Sequence, residues 1–377
     1  MKQKIKVLHS LFRVGSGGVE QTRLSLARNL DASRYEQRVM CFDAFGSLPA
    51  ALRSAGCAVD KVGNGDSIFE ITPYRHALGI IREWRPDIIH GAVYEGVAIA
   101  AVAGRLGRVP VIIGEETSDP VRRSAAGHAL YRIFAAMTDR MVAVSPAVSE
   151  YLTRTIRIPP SKVSMIMNGV EEPAPRDPLV VQAIRNKYGI GDQTFVVGTV
   201  GRLEDSCKRI SDLIRAMPAL RGACMDARLL VVGEGDDAEM LFGLAESLGV
   251  ADSVHFCGYQ AAPADYYPVM DVFALVSAHE AFGLVLVEAM YAEVPVVATR
   301  VGGIPSVVDE GVTGLLVDPM NPVQLASTIL NLYGDLGLRR SMGRKGRERA
   351  LSEFGAHRYV CQVDALYAEL LARKNLH

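Results

Sequence analysis

The sequence predicts an α/β protein made of two consecutive doubly wound parallel sheets, and three observations carry that expectation. The chain has 377 residues, more than one hydrophobic core usually serves, so two domains are expected. Short apolar runs alternate with helical patterns throughout, the rhythm of βαβ units with a sheet buried on both faces. That rhythm stops at a polar stretch with three prolines, NGVEEPAPRDP at 168–178, and then restarts.

In the first half the strands are read at KVLHS, QRVMCF, AVDKV, DIIH, PVII and MVAVS, with helices between them at about 19–30, 48–55, 73–84 and 96–106. The second series runs TFVVGTVGR, ARLLVVG, VHFCG, DVFALVS, PVVAT and GLLV. These patterns place a first domain at 1–170, a linker at 171–190 and a second domain at 191–354. Residues 355–377 form a terminal helix, expected to pack back on the first domain. Ligands of open parallel sheets bind outside the carboxyl ends of the strands. Two such edges facing each other across a cleft would bring together the motifs that follow.

Composition narrows the classes. Hydrophobic residues make up 49% and charged residues 22%, as in a globular protein. Forty-one basic residues against 42 acidic ones leave a net charge of −1, which argues against nucleic acid as a partner. The first apolar run is too short for a signal peptide and no stretch is long enough to span a bilayer, so a cytoplasmic location is expected. Cys41, Cys57, Cys207, Cys224, Cys257 and Cys361 are scattered without metal-ligand spacing and are read as reduced thiols. The segment PVRRSAAGHALYRIF at 120–134 offers two adjacent arginines to an anionic surface, so peripheral membrane association is one option; a solvated helix is the simpler reading.

The strongest chemical signal is SAHEAFGLVLVEAMYAEVPVVAT at 277–299. Glu280 follows a strand, and Glu288 sits in an otherwise apolar helix opening near Phe282 or Gly283. A carboxylate buried there needs hydrogen-bond donors. Either a protein group or the hydroxyls of a ligand would supply them. The bare helix start at Gly283 suits an anion such as phosphate. Phosphate beside two hydroxyl-binding carboxylates suggests a nucleotide sugar. In GRLEDSCKRISDL, Arg202 follows a strand end and Lys208 opens the next helix. Together they would offset the charge of a diphosphate leaving group, and no acidic pair stands ready to hold a metal. Gly15, Gly17 and Gly18 lie in a glycine-rich turn whose spacing is not the dinucleotide fingerprint.

Taken in order, GSGGVE, IMNGV, GRLEDSCK, VVGEGDD, HFCGY, the two glutamates eight apart and VGGIPSVVDEGVTGLLV resemble the retaining glycosyltransferases of family 4. The resemblance covers nearly the whole chain and implies the GT-B fold, two Rossmann-like domains facing each other across a cleft. It implies a metal-independent transfer from a UDP- or GDP-sugar to a small-molecule, glycan or lipid-linked acceptor, as in the biosynthesis of polysaccharides, glycolipids or glycosylated natural products. Arg202 and Lys208 would hold the diphosphate, Glu280 the transferred sugar and Glu288 the ribose. Gly258 and Tyr259 would meet the base, and Phe282, Gly283 and Leu284 the sugar and phosphate. Gly17 and Gly18 would close over the phosphates. Where many members carry a histidine, GEETSDP at 114–120 places Glu116. Glu115 and Glu116 then either complement a helix beginning at Ser118, Asp119 and Pro120, or form an acidic pocket for a basic or hydroxyl-rich acceptor such as an aminocyclitol or amino sugar. His90 and Glu95, in HGAVYEG, are further acceptor-side candidates. Rival readings are an epimerase or phosphorylase on the same fold, or a nucleotide-sugar-binding subunit without activity.

Overall fold

A computed structural model describes residues 4–15, 17–63, 68–118 and 123–375. The chain forms two compact units, 1–171 with 356–377, and 172–355.

The first unit contains β1 (Ile5–Val14), α1 (Gly18–Asn29), β2 (Tyr35–Ala44), α2 (Leu48–Ser54), β3 (Ala58–Lys61), α3 (Ile71–Trp84) and β4 (Ile88–Ala92). It continues with α4 (Val93–Leu106), β5 (Val111–Glu116), α5 (Ala125–Met137), β6 (Arg140–Ala143), α6 (Pro146–Glu150) and β7 (Val163–Met165). Its seven strands lie in the order β3-β2-β1-β4-β5-β6-β7, and every pairing is parallel. β4 and β5 are buried along their whole length. That is why they read as apolar runs rather than alternating ones.

The second unit opens with α7 (Pro178–Lys187), followed by β8 (Phe195–Val200), α8 (Asp205–Lys208), α9 (Ile210–Ala223), β9 (Ala227–Val232), α10 (Ala238–Ser247) and β10 (Val254–Gly258). Then come β11 (Val272–Leu275), α11 (Leu284–Tyr291), β12 (Val296–Thr299), α12 (Ile304–Val307), β13 (Gly314–Val317), α13 (Pro322–Gly334) and α14 (Leu336–Glu353). The six strands, also parallel, are ordered β10-β9-β8-β11-β12-β13. In each sheet the winding reverses once, between β1 and β4 and between β8 and β11. Those reversals are the switch points where open sheets leave a crevice for ligands.

The stretch expected as linker differs in detail. Asp177 accepts a hydrogen bond from the Leu179 amide and caps α7, with Pro178 at the first helical position. A proline there lacks an N–H that would go unused, and its fixed φ suits the first turn. The last of the three prolines therefore starts a helix instead of breaking one.

The final helix, α15 (Ala356–Arg373), belongs to the first unit. Tyr359, Val360, Val363, Leu366, Tyr367, Leu370 and Leu371 join Ile5, Val7, Leu26, Ile88, Val111 and Ile113 in one core. Its stripe repeats every three to four residues, the period of one buried helix face.

Candidate active site

In the second unit the switch-point loops carry the donor-side candidates. Gly201 donates its amide to the Val232 carbonyl at 3.0 Å, and Leu203 donates to Glu234 at 3.0 Å, so the loops after β8 and β9 lie backbone to backbone. Gly233 makes this approach possible, with φ +137° and a notional Cβ 1.9 Å from the Gly201 oxygen. No other residue type fits that space.

Lys208 closes the short α8 instead of opening the following helix, which begins at Ile210. Arg209, at φ +53°, turns the chain between them, and its guanidinium is tied to Asp212 at 2.9 Å. The result aims Lys208 Nζ at Glu280 Oε2, 2.7 Å away. Burial works against the lysine's charge, but the Glu280 carboxylate outweighs it and holds the ammonium above its ordinary pKa. Two backbone bonds fix the acidic partner. Ala278 donates to the Cys207 carbonyl and Gly303 to the Glu280 carbonyl, both at 2.8 Å. Arg202 stands apart: its side chain is 70% exposed and lies 3.7 Å from Glu204.

α11 begins at a Gly283 cap with φ +91° and no side-chain cap. Its first amides are therefore offered to whatever anion approaches. Phe282 is buried and Leu284 half-buried. Glu288, one turn further, accepts a 2.6 Å hydrogen bond from the Tyr267 hydroxyl. Burial pushes its carboxyl up, with the Tyr267 bond and Arg176 acting in the opposite direction. Gly258 ends β10 at φ +68°, and the Tyr259 side chain next to it is exposed.

In the first unit Gly17 is the N-cap residue of α1 and Gly18 is its first residue. Glu95 lies half-exposed in the first turn of α4. The remaining acceptor-side candidates are placed otherwise than expected. Glu115 and Glu116 are the last two residues of β5, not the approach to a helix. Ser118 turns back so that its hydroxyl donates to Glu116 at 2.6 Å; Asp119 and Pro120 lie outside the described residues, and α5 is capped by Ser124.

Glu115 is 2% and His90 0% exposed. Glu115 Oε2 sits 2.6 Å from the Arg23 guanidinium and 3.0 Å from His90 Nε2. His90 Nδ1 shares a 2.9 Å hydrogen bond with the Tyr367 hydroxyl, and Arg23 donates to the Tyr359 hydroxyl at 3.3 Å. Both groups are internal fastenings between the sheet, α1 and α15. Glu116, 0% exposed, is held by Arg123 at 2.5 Å. The Tyr131 and Tyr94 rings lie 4.5 and 4.9 Å from that guanidinium. Each carboxylate thus has its own cation, which removes the acidic pocket expected to select a basic acceptor. The same contact turns Arg123 inward, so it is not offered to a membrane surface; Arg122 lies outside the described residues. Among the described residues no helix is long and apolar enough to cross a membrane, and no group of three or more His, Cys, Asp or Glu is placed to hold a metal ion.

Sequence reasoning missed Tyr267, Arg23 and Arg123. An arginine on the inner face of an amphipathic helix was the one visible signal, at Arg23.

The buried cluster sets a pH response. Burial, and then the Arg23 charge, depress the pKa values of His9 and His90 below 6.5. Both rings therefore take up protons less readily in the folded unit than in the unfolded chain, which takes them up from about pH 6.5 downward, so stability falls as pH drops through that range. For Glu115, burial raises the pKa but Arg23 and His90 outweigh it and depress it. Its contribution is present above the ordinary carboxylate pKa and is lost on further acidification. Trp84, the single tryptophan, lies in the first unit. Urea midpoints followed by its fluorescence should fall between pH 7.5 and 5.5, and the fall should be smaller when His9 and His90 are both replaced by glutamine.

Two parallel-sheet units, with a cation, two carboxylates and a helix start at one switch point, form an architecture suited to a sugar transferase. The description "Glycosyltransferase Family 4" matches residues 16–172, and "Glycosyl transferases group 1" matches residues 180–349. The D-inositol 3-phosphate glycosyltransferase of Segniliparus rotundus is 32% identical over 317 residues, 78% of this chain and 69% of that protein. The N-acetyl-alpha-D-glucosaminyl L-malate synthase of Bacillus anthracis is 28% identical over 325 residues, 82% of each. Among solved structures, Anabaena HepE in complex with UDP-glucose superposes with a TM-score of 0.86 at 23% identity, covering 97% of this chain and all of that one. A glycosyltransferase from Rickettsia africae gives 0.83 at 21% identity, covering 98% and 99%. The chain belongs to glycosyltransferase family 4, and its fold is that of the GT-B enzymes.

Proposed function

We propose that this enzyme transfers a glycosyl group, with retention of anomeric configuration and without a metal ion, from a nucleoside diphosphate sugar to a hydroxyl of a small acceptor. The observation that carries the reading is the 2.7 Å Lys208–Glu280 pair beside the uncapped start of α11. It holds one positive and one negative group at the same switch point, as a diphosphate next to sugar hydroxyls requires. Solved neighbours of the same fold hold UDP, and UDP-glucose. Two relatives are named for transfer to L-malate and to inositol 3-phosphate, which are small hydroxylated acceptors.

In this reading Lys208 and Arg202 neutralise the departing diphosphate, Glu280 accepts hydrogen bonds from the transferred sugar and Glu288 from the ribose. The base lies along Gly258 and Tyr259, and Phe282, Gly283 and Leu284 seat the sugar and phosphate. The acceptor oxygen bonds to the anomeric carbon on the face the leaving group quits. The carbon–phosphate oxygen bond breaks with its electron pair on the diphosphate, and the acceptor proton passes to that departing oxygen. A covalent sugar–enzyme route needs a free carboxylate beneath the anomeric carbon, whereas Glu280 is bound to Lys208 through Oε2.

A thermal-shift screen of UDP-, GDP- and dTDP-sugars tests the donor. Binding at a hundred times the dissociation constant stabilises the folded state by about 2.7 kcal/mol, and one nucleotide series should raise Tm well above the others. Turnover unchanged by EDTA and an axial product anomer from an axial donor are expected. Product formed from donor alone, or only with inorganic phosphate, would point to the epimerase or phosphorylase reading.

A further inference from the structure

We propose that Tyr267 is a positioning residue for nucleotide binding: it holds the Glu288 carboxylate ionised and aimed, leaving its second oxygen for the ribose hydroxyls. This deepens the donor reading above and rests on Glu288 contacting the ribose.

Tyr267 lies in a single helical turn, Tyr267–Val269, just before β11. Its ring is 1% exposed and packs edge-on against Phe273 of that strand, centroid to centroid 5.4 Å. The hydroxyl therefore has one fixed place to go, and it donates to Glu288 Oε2 at 2.6 Å. A hydrogen bond to an ionised acceptor is short and about twice as strong as a neutral one. The Arg176 charge also favours the ionised Glu288, and its guanidinium is itself paired with Asp265 at 3.1 Å. Asp265 is two residues from Tyr267, so the segment 263–269 steadies Glu288 both directly and through Arg176.

A ribose diol donates two hydrogen bonds and needs a carboxylate that is ionised and cannot rotate. Burial in the mostly apolar α11 works against ionisation. The Tyr267 hydroxyl counters that, and by occupying Oε2 it leaves Oε1 for the ligand. Removing the hydroxyl leaves the ring stacking intact but lets Glu288 take up a proton at higher pH, where it no longer accepts from the diol.

The test is calorimetric titration with UDP from pH 5 to 9 on the wild type, Tyr267→Phe, Glu288→Gln and the double variant, with Tm as a check on folding. Wild-type affinity should decline on the acid side. Tyr267→Phe should weaken UDP by about tenfold at pH 7, and its decline should begin at higher pH. Glu288→Gln should weaken UDP and leave only the shallower acid-side decline that comes from protonation of the UDP terminal phosphate, at about pH 6, and adding Tyr267→Phe to it should cost little more. If Glu288→Gln weakens binding while Tyr267→Phe leaves both affinity and pH profile unchanged, the positioning role is overturned. If Glu288→Gln binds UDP as the wild type does, or the wild type does not bind UDP, the ribose reading itself fails. A Tyr267→Phe protein that weakens UDP equally at every pH would mark a packing effect and also overturn the proposal.

Discussion

Replacing Lys208 with alanine should lower turnover by about 10²- to 10³-fold, the usual effect of deleting one preorganised group that stabilises charge growing in the transition state. The side chain is 27% exposed and its Glu280 partner 16%. Its field is therefore less screened than that of Arg202, at 70% exposure, and Arg202→Ala should cost less. At an effective dielectric of 20, a unit charge 4 Å from a phosphate charge contributes roughly 4 kcal/mol of gross attraction, enough to account for a loss of this size. Glu280→Gln should behave differently, keeping UDP affinity while turnover falls, because the cation remains and the sugar loses an ionised acceptor. The fold should survive each change, since both members of the pair keep some access to water, and Tm checks this. Steady-state rates with saturating donor check this, and an unchanged rate for Lys208→Ala would remove the charge-stabilisation mechanism.

The second large effect is on stability. Glu115→Ala should cost the first unit about 3–5 kcal/mol, because removing one member of a buried ion pair strands the other. Arg23 is fully buried, with Glu115 at 2.6 Å and the Tyr359 hydroxyl at 3.3 Å as its partners and no acceptor for Nε. Replacing both charges, as in Arg23→Met with Glu115→Leu, should recover much of the loss, since a packed apolar pair avoids desolvating two ions. Glu116→Ala should cost less, because Arg123 is 15% exposed and reaches water more readily. Urea unfolding read by Trp84 fluorescence separates the three, and a midpoint for Glu115→Ala equal to that of the wild type would contradict the assignment.

The parallel sheets were legible because strands such as Val111–Glu116 and Phe195–Val200 are buried on both faces and so appear as unbroken apolar runs. The residues proposed for the donor stood out in the sequence because they cluster at strand ends. Sequence could not show what each group touches. Arg23 and Glu115 are 92 positions apart, and His90 and Tyr367 are 277 apart, so no local spacing reveals that these polar groups neutralise one another. Glu115 and His90 therefore looked available for an acceptor. The helix α7 was concealed by the prolines around it, although Asp177–Pro178 is a helix-start pair. Tyr267 gave no signal, because its meaning depends on a carboxylate 21 positions later.

Since α15 completes the core begun by β1, the second unit is an insertion between two parts of the first. On the ribosome, residues 172–355 have all their own segments before the first unit has its last one. The earlier-made half must wait with Ile5, Val7 and Leu26 uncovered until residues 356–373 emerge. Nascent chains halted before that point should therefore recruit chaperones through the amino-terminal portion, in spite of its being synthesised first.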